Sequence, residues 1–257
     1  MLERHGIGRS LIGAGWEHSE FTAAGITHGV FRRGSGPLVI VIHEIPGITP
    51  KVRRFAEEVV DRGFTVAMPV LVGTPDRPAT RGYLASTFAK VCVSSEFTTW
   101  AVGRTSPIIG WLRALGRSLH AEVGGSGIGA VGMCFSGGFT LGMMVDDLMQ
   151  APVLSQPSLP IAVGADRASD LSLSPDDLEA VVQRAANGCE VLGLRFTGDR
   201  MVGTRFETLR RLLGDAFIAV ELPSSKSSDH SVLTEQRDDA SVDKVLEFLE
   251  RRLRTSA

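Results

Sequence analysis

The sequence is short of cysteine, of unbalanced charge and of long apolar runs. Its three cysteines, Cys92, Cys134 and Cys189, are too few and too scattered for a disulfide framework or a CxxC metal site. Lysine and arginine number 27 against 29 aspartates and glutamates. No overall field therefore draws the chain to nucleic acid or to an anionic membrane, and neither partner is expected. No run is long and apolar enough to span a bilayer. The first fifteen residues carry charge, a histidine and four glycines where an export signal needs an unbroken apolar stretch, so a cytoplasmic location is expected. What these absences leave open is a single reactive thiol.

What is present is enough apolar content, 43% of 257 residues, to bury a substantial core, and a single domain over residues 1–257 is expected. Residues 1–37 read as an antiparallel lead-in, with Thr22–Phe31 mixing β-branched and apolar positions before a Gly-Ser-Gly-Pro turn. Leu38–Ile42 is an unbroken apolar run of strand length, as in a strand covered on both faces. Thr49 then caps a helix opened by Pro50, with Val52, Phe55, Ala56, Val59 and Val60 on one face and Gly63 as its stop. Strands are predicted at Phe64–Met68, Ile128–Met133, Val191–Phe196 and Phe217–Leu222. Helices are predicted at Ser106–Leu119, just after Cys134, at Arg205–Leu213 and at Val242–Leu253. This alternation specifies an α/β fold, a mostly parallel sheet with helices on both faces. Residues 70–105 form the least regular segment and are expected to cover a site.

The chemistry centres on Gly132-Met133-Cys134-Phe135-Ser136-Gly137-Gly138, which follows a strand and precedes a helix, the setting of a nucleophile elbow. Such a turn is strained and needs small residues two before and two after the nucleophile, a need Gly132 and Ser136 meet. A helix start at Cys134 favours thiolate, whereas the bland alternative is a buried, inert cysteine. Ser136 is a rival nucleophile, but it has Cys134 at its own minus-two position, where the turn resists a side chain. An elbow needs an acid and then a histidine downstream. Asp199 follows the Val191–Phe196 strand and His230 lies in the loop before the closing helix. Separately they are an ordinary turn aspartate and an ordinary loop histidine, and only order and placement together make them a candidate triad. Glu44 ends the first buried strand, and the backbone N–H of Ile45 is a candidate partner to that of Phe135 in an oxyanion hole. A carboxylate at Glu44 would oppose a resting thiolate.

Two motif matches are set aside. Gly127-Ile128-Gly129-Ala130-Val131-Gly132 fits GxGxxG but runs through a strand instead of following one, so no dinucleotide is expected. His43-Glu44 begins like HExxH, yet position 47 is glycine and the segment is a strand end, so no metal and no other cofactor is expected.

Together His43-Glu44-Ile45-Pro46-Gly47, the Cys134 turn with Gly137-Gly138, Gly198-Asp199 and His230 resemble the dienelactone hydrolase family, from about Val39 to His230. Ala151–Pro160 also looks like this family. The resemblance implies an α/β-hydrolase fold and hydrolysis of a small-molecule ester or lactone through a thioester on Cys134, with Asp199 and His230 completing the triad. It further implies that Glu44 holds the thiol and is displaced as substrate binds. The sequence departs from the family at Ser136, where glycine is usual, and at Thr234, where the best-known members carry an arginine that grips a substrate carboxylate. Arg81 is the remaining candidate for an anion-binding arginine. A thioesterase, a general carboxylesterase and a non-catalytic binding protein of the same fold stay open as alternatives, and the sequence names no oligomeric state.

Overall fold

A computed structural model describes residues 12–226 and 228–254. Its lead-in is a hairpin of β1 (Glu17–Ala23) and β2 (Ile26–Arg33), turned through Ala24 and Gly25, both at positive φ, as a two-residue hairpin loop requires. The part of the predicted lead-in before residue 12 lies outside the described residues. The parallel strands are β3 (Leu38–Ile42), β4 (Thr65–Pro69), β5 (Ile128–Met133), β6 (Met149–Ser155), β7 (Val191–Phe196) and β8 (Phe217–Leu222). The order across the sheet is β1-β2-β4-β3-β5-β6-β7-β8, with β2 antiparallel to β4 and every later pairing parallel. The expected α/β class, a mostly parallel sheet with helices on both faces, is what forms.

Strand alternation divides the core in two. Leu38, Ile40 and Ile42 face a cluster built with α3 (Pro107–Val123) and α7 (Arg205–Leu213), whereas Val39 and Val41 face one built with α1 (Pro50–Asp61) and α8 (Asp239–Leu253). The α1 start is as read: Thr49 accepts the Val52 N–H at 3.3 Å and Pro50 opens the helix. The predicted helix at 106–119 runs on to Val123, and α8 begins three residues earlier than expected, where Asp238 accepts the Ser241 N–H.

Four differences bear on function. Residues 70–105 are not irregular throughout, for Arg81–Val93 forms α2, capped by Thr80. The helix expected directly after Cys134 is a 3-10 turn, Cys134–Ser136, followed by the five-residue α4 (Phe139–Met143). That is too short to supply the helix dipole the sequence reading assigned to the thiol. β6 was not anticipated because Gln150 and Pro152 interrupt its pattern; Pro152 is tolerated because its ladder to β7 starts only at Val153. Two further helices, α5 (Ala165–Ser169) and α6 (Pro175–Ala186), fill the stretch between β6 and β7.

Candidate active site

The site gathers where β3, β5, β6 and β7 end, the edge at which parallel sheets present ligand crevices. Cys134 stands just past β5 with φ of 56°, left-handed backbone that a side chain adopts only under strain, as an elbow demands. A Cβ on Gly132 would fall 2.3 Å from the Ser136 carbonyl oxygen, so the glycine is obligatory. Ser136 is fully buried. Its hydroxyl donates among the carbonyls of Ile42, His43 and Met133, each 3.0 Å away, and accepts the Met133 N–H at 3.0 Å. It stitches the elbow to the end of β3 and takes no part in the cavity wall.

Asp199 and His230, 31 residues apart, meet as the sequence order expects: His230 Nδ1 lies 2.6 Å from Asp199 Oδ2. The other carboxylate oxygen accepts the Met201 N–H at 2.9 Å, which fixes its orientation. Asp229, next to His230, is engaged elsewhere, accepting from Ser225 and Lys226 within its own loop. Burial pushes the His230 pKa down, but the neighbouring Cys134 and the bond to Asp199 outweigh it, and the imidazole is held well above its usual 6.5. Cys134 and His230 line the same cavity.

Glu44 is buried beside them, and burial raises its pKa against the pull of its hydroxyl partners. Ser231 donates to one carboxylate oxygen at 2.6 Å, Thr234 donates to the other, and the Gln156 amide approaches at 3.4 Å. Among the described residues these are its partners, and Cys134 is not one of them. The contact with the thiol that the resemblance implies is not formed here; two hydroxyls after His230 hold the carboxylate instead. Thr234, the departure from the family pattern, is one of the two. His43, whose pKa burial lowers to about 4, is neutral. It accepts the Leu71 N–H at Nε2 and so donates from Nδ1 to the Glu44 carbonyl at 2.8 Å, bracing that loop.

Several contributors have no sequence motif of their own. Ser158, whose N–H donates to the Cys134 carbonyl at 3.1 Å, sets its hydroxyl 3.5 Å from His230 Nε2. Arg205 is 1% exposed and donates to the carbonyls of Pro160, Arg167, Asp170, Met201 and Val202, tying the turn that carries Asp199 to the loops beside it. Burial pulls its pKa down to about 10. A charge in a helix was legible there; its five carbonyl partners, spread from Pro160 to Val202, were not.

The cavity at Cys134 has about 600 Å³ and is walled by Glu44, Ile45, His230 and, from α2, Arg81, Leu84 and Phe88. Within the 70–105 segment it is α2 that lines this cavity, Arg81 included. A smaller recess of about 160 Å³ opens from the same sulfur and is lined by both Ile45 and Phe135, the two candidate oxyanion donors. Cys189 is buried against the Met149 carbonyl and Cys92 lies on α2 outside both spaces; burial raises the pKa of each. Among the described residues no helix is long and apolar enough to cross a membrane, and no cluster of metal-binding side chains occurs.

The sequence matches the profile of the dienelactone hydrolase family over residues 28–162. The chain belongs to the dienelactone hydrolase family. It is accordingly a hydrolase, although the matched stretch holds Glu44 and Cys134 and stops short of Asp199 and His230. Solved structures share the fold at low identity. A dienelactone hydrolase from Anabaena variabilis is 15% identical with a TM-score of 0.64, covering 93% of this chain and 98% of that one. A putative dienelactone hydrolase from Klebsiella pneumoniae is 18% identical with a TM-score of 0.62, covering 92% and 97%. A protein from Xanthomonas campestris described as an α/β serine hydrolase without lid is 12% identical with a TM-score of 0.59, covering 97% and 100%. These likenesses establish the α/β-hydrolase fold. A search of curated proteins finds no match.

Proposed function

We propose that this family member hydrolyses carboxylic esters or lactones with Cys134 as nucleophile. The observation that carries the reading is a cysteine in left-handed backbone beside an imidazole whose far nitrogen is 2.6 Å from a buried carboxylate. His230 takes the thiol proton, Asp199 stabilises the imidazolium, and sulfur adds to the substrate carbonyl carbon. The N–H groups of Ile45 and Phe135 receive the oxyanion. The C–O bond to the alcohol then breaks as His230 returns the proton to the leaving oxygen. Water adds to the thioester, giving its proton to His230, and the C–S bond breaks to release the acid as His230 returns that proton to the departing sulfur. Arg81 contributes positive charge to the wide cavity that receives the alcohol. Glu44, its pKa raised and its oxygens taken by hydroxyls, is a neighbour that does not compete with His230 for the thiol proton. Cytoplasmic location and a small-molecule substrate fit this chemistry.

Rapid acid quench during turnover of an activated ester, followed by peptide mass mapping, tests the reading. An acyl mass on the Cys134 peptide, absent in Cys134→Ala, is the expected result. Acylation of Ser136 or Ser158, or full activity in Cys134→Ala, overturns it.

A further inference from the structure

The two spaces that meet at Cys134 differ in a way that assigns the halves of the substrate. The wide one, about 600 Å³, is lined by His230 together with polar groups of Glu235 and Gln236. The small one, about 160 Å³, is lined by Val91, Phe135, Leu159 and Ile161 and does not include His230. Ile45, Phe88 and Met201 form the shared rim. In the reading proposed above, on which this inference rests, the leaving alkoxide must take its proton from His230, so the alcohol occupies the space His230 lines. The acyl group, which stays on sulfur, is left the space whose wall does not include His230.

We infer that the small recess is the acyl-binding site and that the substrate is an ester of a short, uncharged, apolar acid with a bulkier alcohol. Size sets the upper limit: a closed apolar cavity of roughly 150 Å³ takes a ring the size of benzene, and an acyl tail of four to six carbons has similar bulk. Chemistry sets the preference. The recess walls are aliphatic and aromatic apart from Ser158, whose hydroxyl donates to the Gln156 carbonyl at 2.8 Å, and the exposed Arg200. Arg200 is the one cation on the wall and is solvent-exposed, so an acyl group ending in a carboxylate gains only a screened attraction and gives up its hydration.

The test is an acyl series on one alcohol, 4-nitrophenyl acetate, propanoate, butanoate, hexanoate, dodecanoate and the hemisuccinate, each rate divided by its hydroxide-catalysed rate. The expected kcat/KM rises about fourfold per methylene up to four to six carbons, falls by dodecanoate, and is lower for succinyl than for butanoyl. Ile161→Trp, which fills the recess, is expected to lower the hexanoyl-to-acetyl ratio at least about tenfold. Phe88→Ala, at an exposed rim position, moves the cut-off to longer chains. A flat series, a preference for succinyl, or ratios unmoved in both folded variants overturns the assignment while leaving ester hydrolysis standing. Absence of turnover with every ester overturns the proposed function and this inference with it.

Discussion

The sheet edge and the α2 wall enclose the same cavity and are built on opposite terms. At the sheet edge Cys134, Asp199 and Glu44 are at most 7% exposed, and each is fixed by backbone strain or by hydrogen bonds to both carboxylate oxygens. On α2 the cavity-facing Leu84 and Phe88 are 38% and 41% exposed, with apolar contact alone to hold them. Reacting groups must be placed to within fractions of an ångström, which a packed sheet provides. A wall that only measures width and polarity needs no such precision.

The sharpest test of this contrast lies in the proton-transfer pair. His230→Ala and Asp199→Asn are each expected to cut ester turnover by about three to four powers of ten, and the double variant to be hardly worse than either, because the two act as one unit. Steady-state rates on one ester decide it, and additive losses would break the pairing. Next comes the elbow. Gly132→Ala puts a methyl 2.3 Å from the Ser136 carbonyl oxygen, and a loss of about 3 kcal/mol, roughly 6–12 °C in Tm for a chain of this size, is expected by calorimetry. Ser136→Ala leaves the buried Met133 N–H without its partner and is expected to cost about 1–3 kcal/mol, while Cys134 still reacts with iodoacetamide.

Glu44→Gln tests the neighbouring carboxyl through pH. Because burial raises the folded-state pKa of Glu44 above its usual 4.5, the native state favours the protonated form. That contribution is whole below pH 4.5 and is lost as pH rises through the folded value. Gln does not titrate, so its Tm advantage over the parent chain is expected to be smallest near pH 4 and to widen toward neutrality. A gap that narrows instead would mean the carboxylate is stabilised by its hydroxyl partners beyond the cost of burial. The smallest effect is expected on the wall: Leu84→Ala shifts stability by no more than about 0.5 kcal/mol, and its consequence appears in KM for esters of bulky alcohols.

The same contrast governs what the sequence reveals. The edges of β5, β7 and β8 and the α1 cap follow from patterns that need no partner: short, mostly apolar runs, and Thr49 before Pro50. Cys134, Asp199 and His230 are legible for a related reason, since each follows a strand that fixes where it must stand. α2 escapes because apolar residues surround it: Tyr83, Thr87 and Val91 face the core, Leu84 and Phe88 face the cavity and Val93 faces solvent, so no single stripe marks a helix. α6, which is not among the predicted helices, does have a legible start in Ser174 and Pro175. The partners of Glu44 lie 112 to 190 residues away, and no local pattern announces which hydroxyls will reach a buried carboxylate.

Arg205 gives the acyl recess its mechanical character. Its guanidinium is gripped by carbonyls on both sides of the recess floor, from Pro160, which follows the lining residue Leu159, to Met201, which forms part of the rim. Releasing any one of them would leave a cation and a carbonyl facing each other across a dry gap. The floor and the turn carrying Asp199 therefore travel as a single body, and a substrate too broad for the recess cannot be admitted by prising that floor open. Accommodation falls to α2, so substitutions that broaden what this hydrolase accepts will accumulate on one helix, and those that rebuild its floor will first have to replace one arginine.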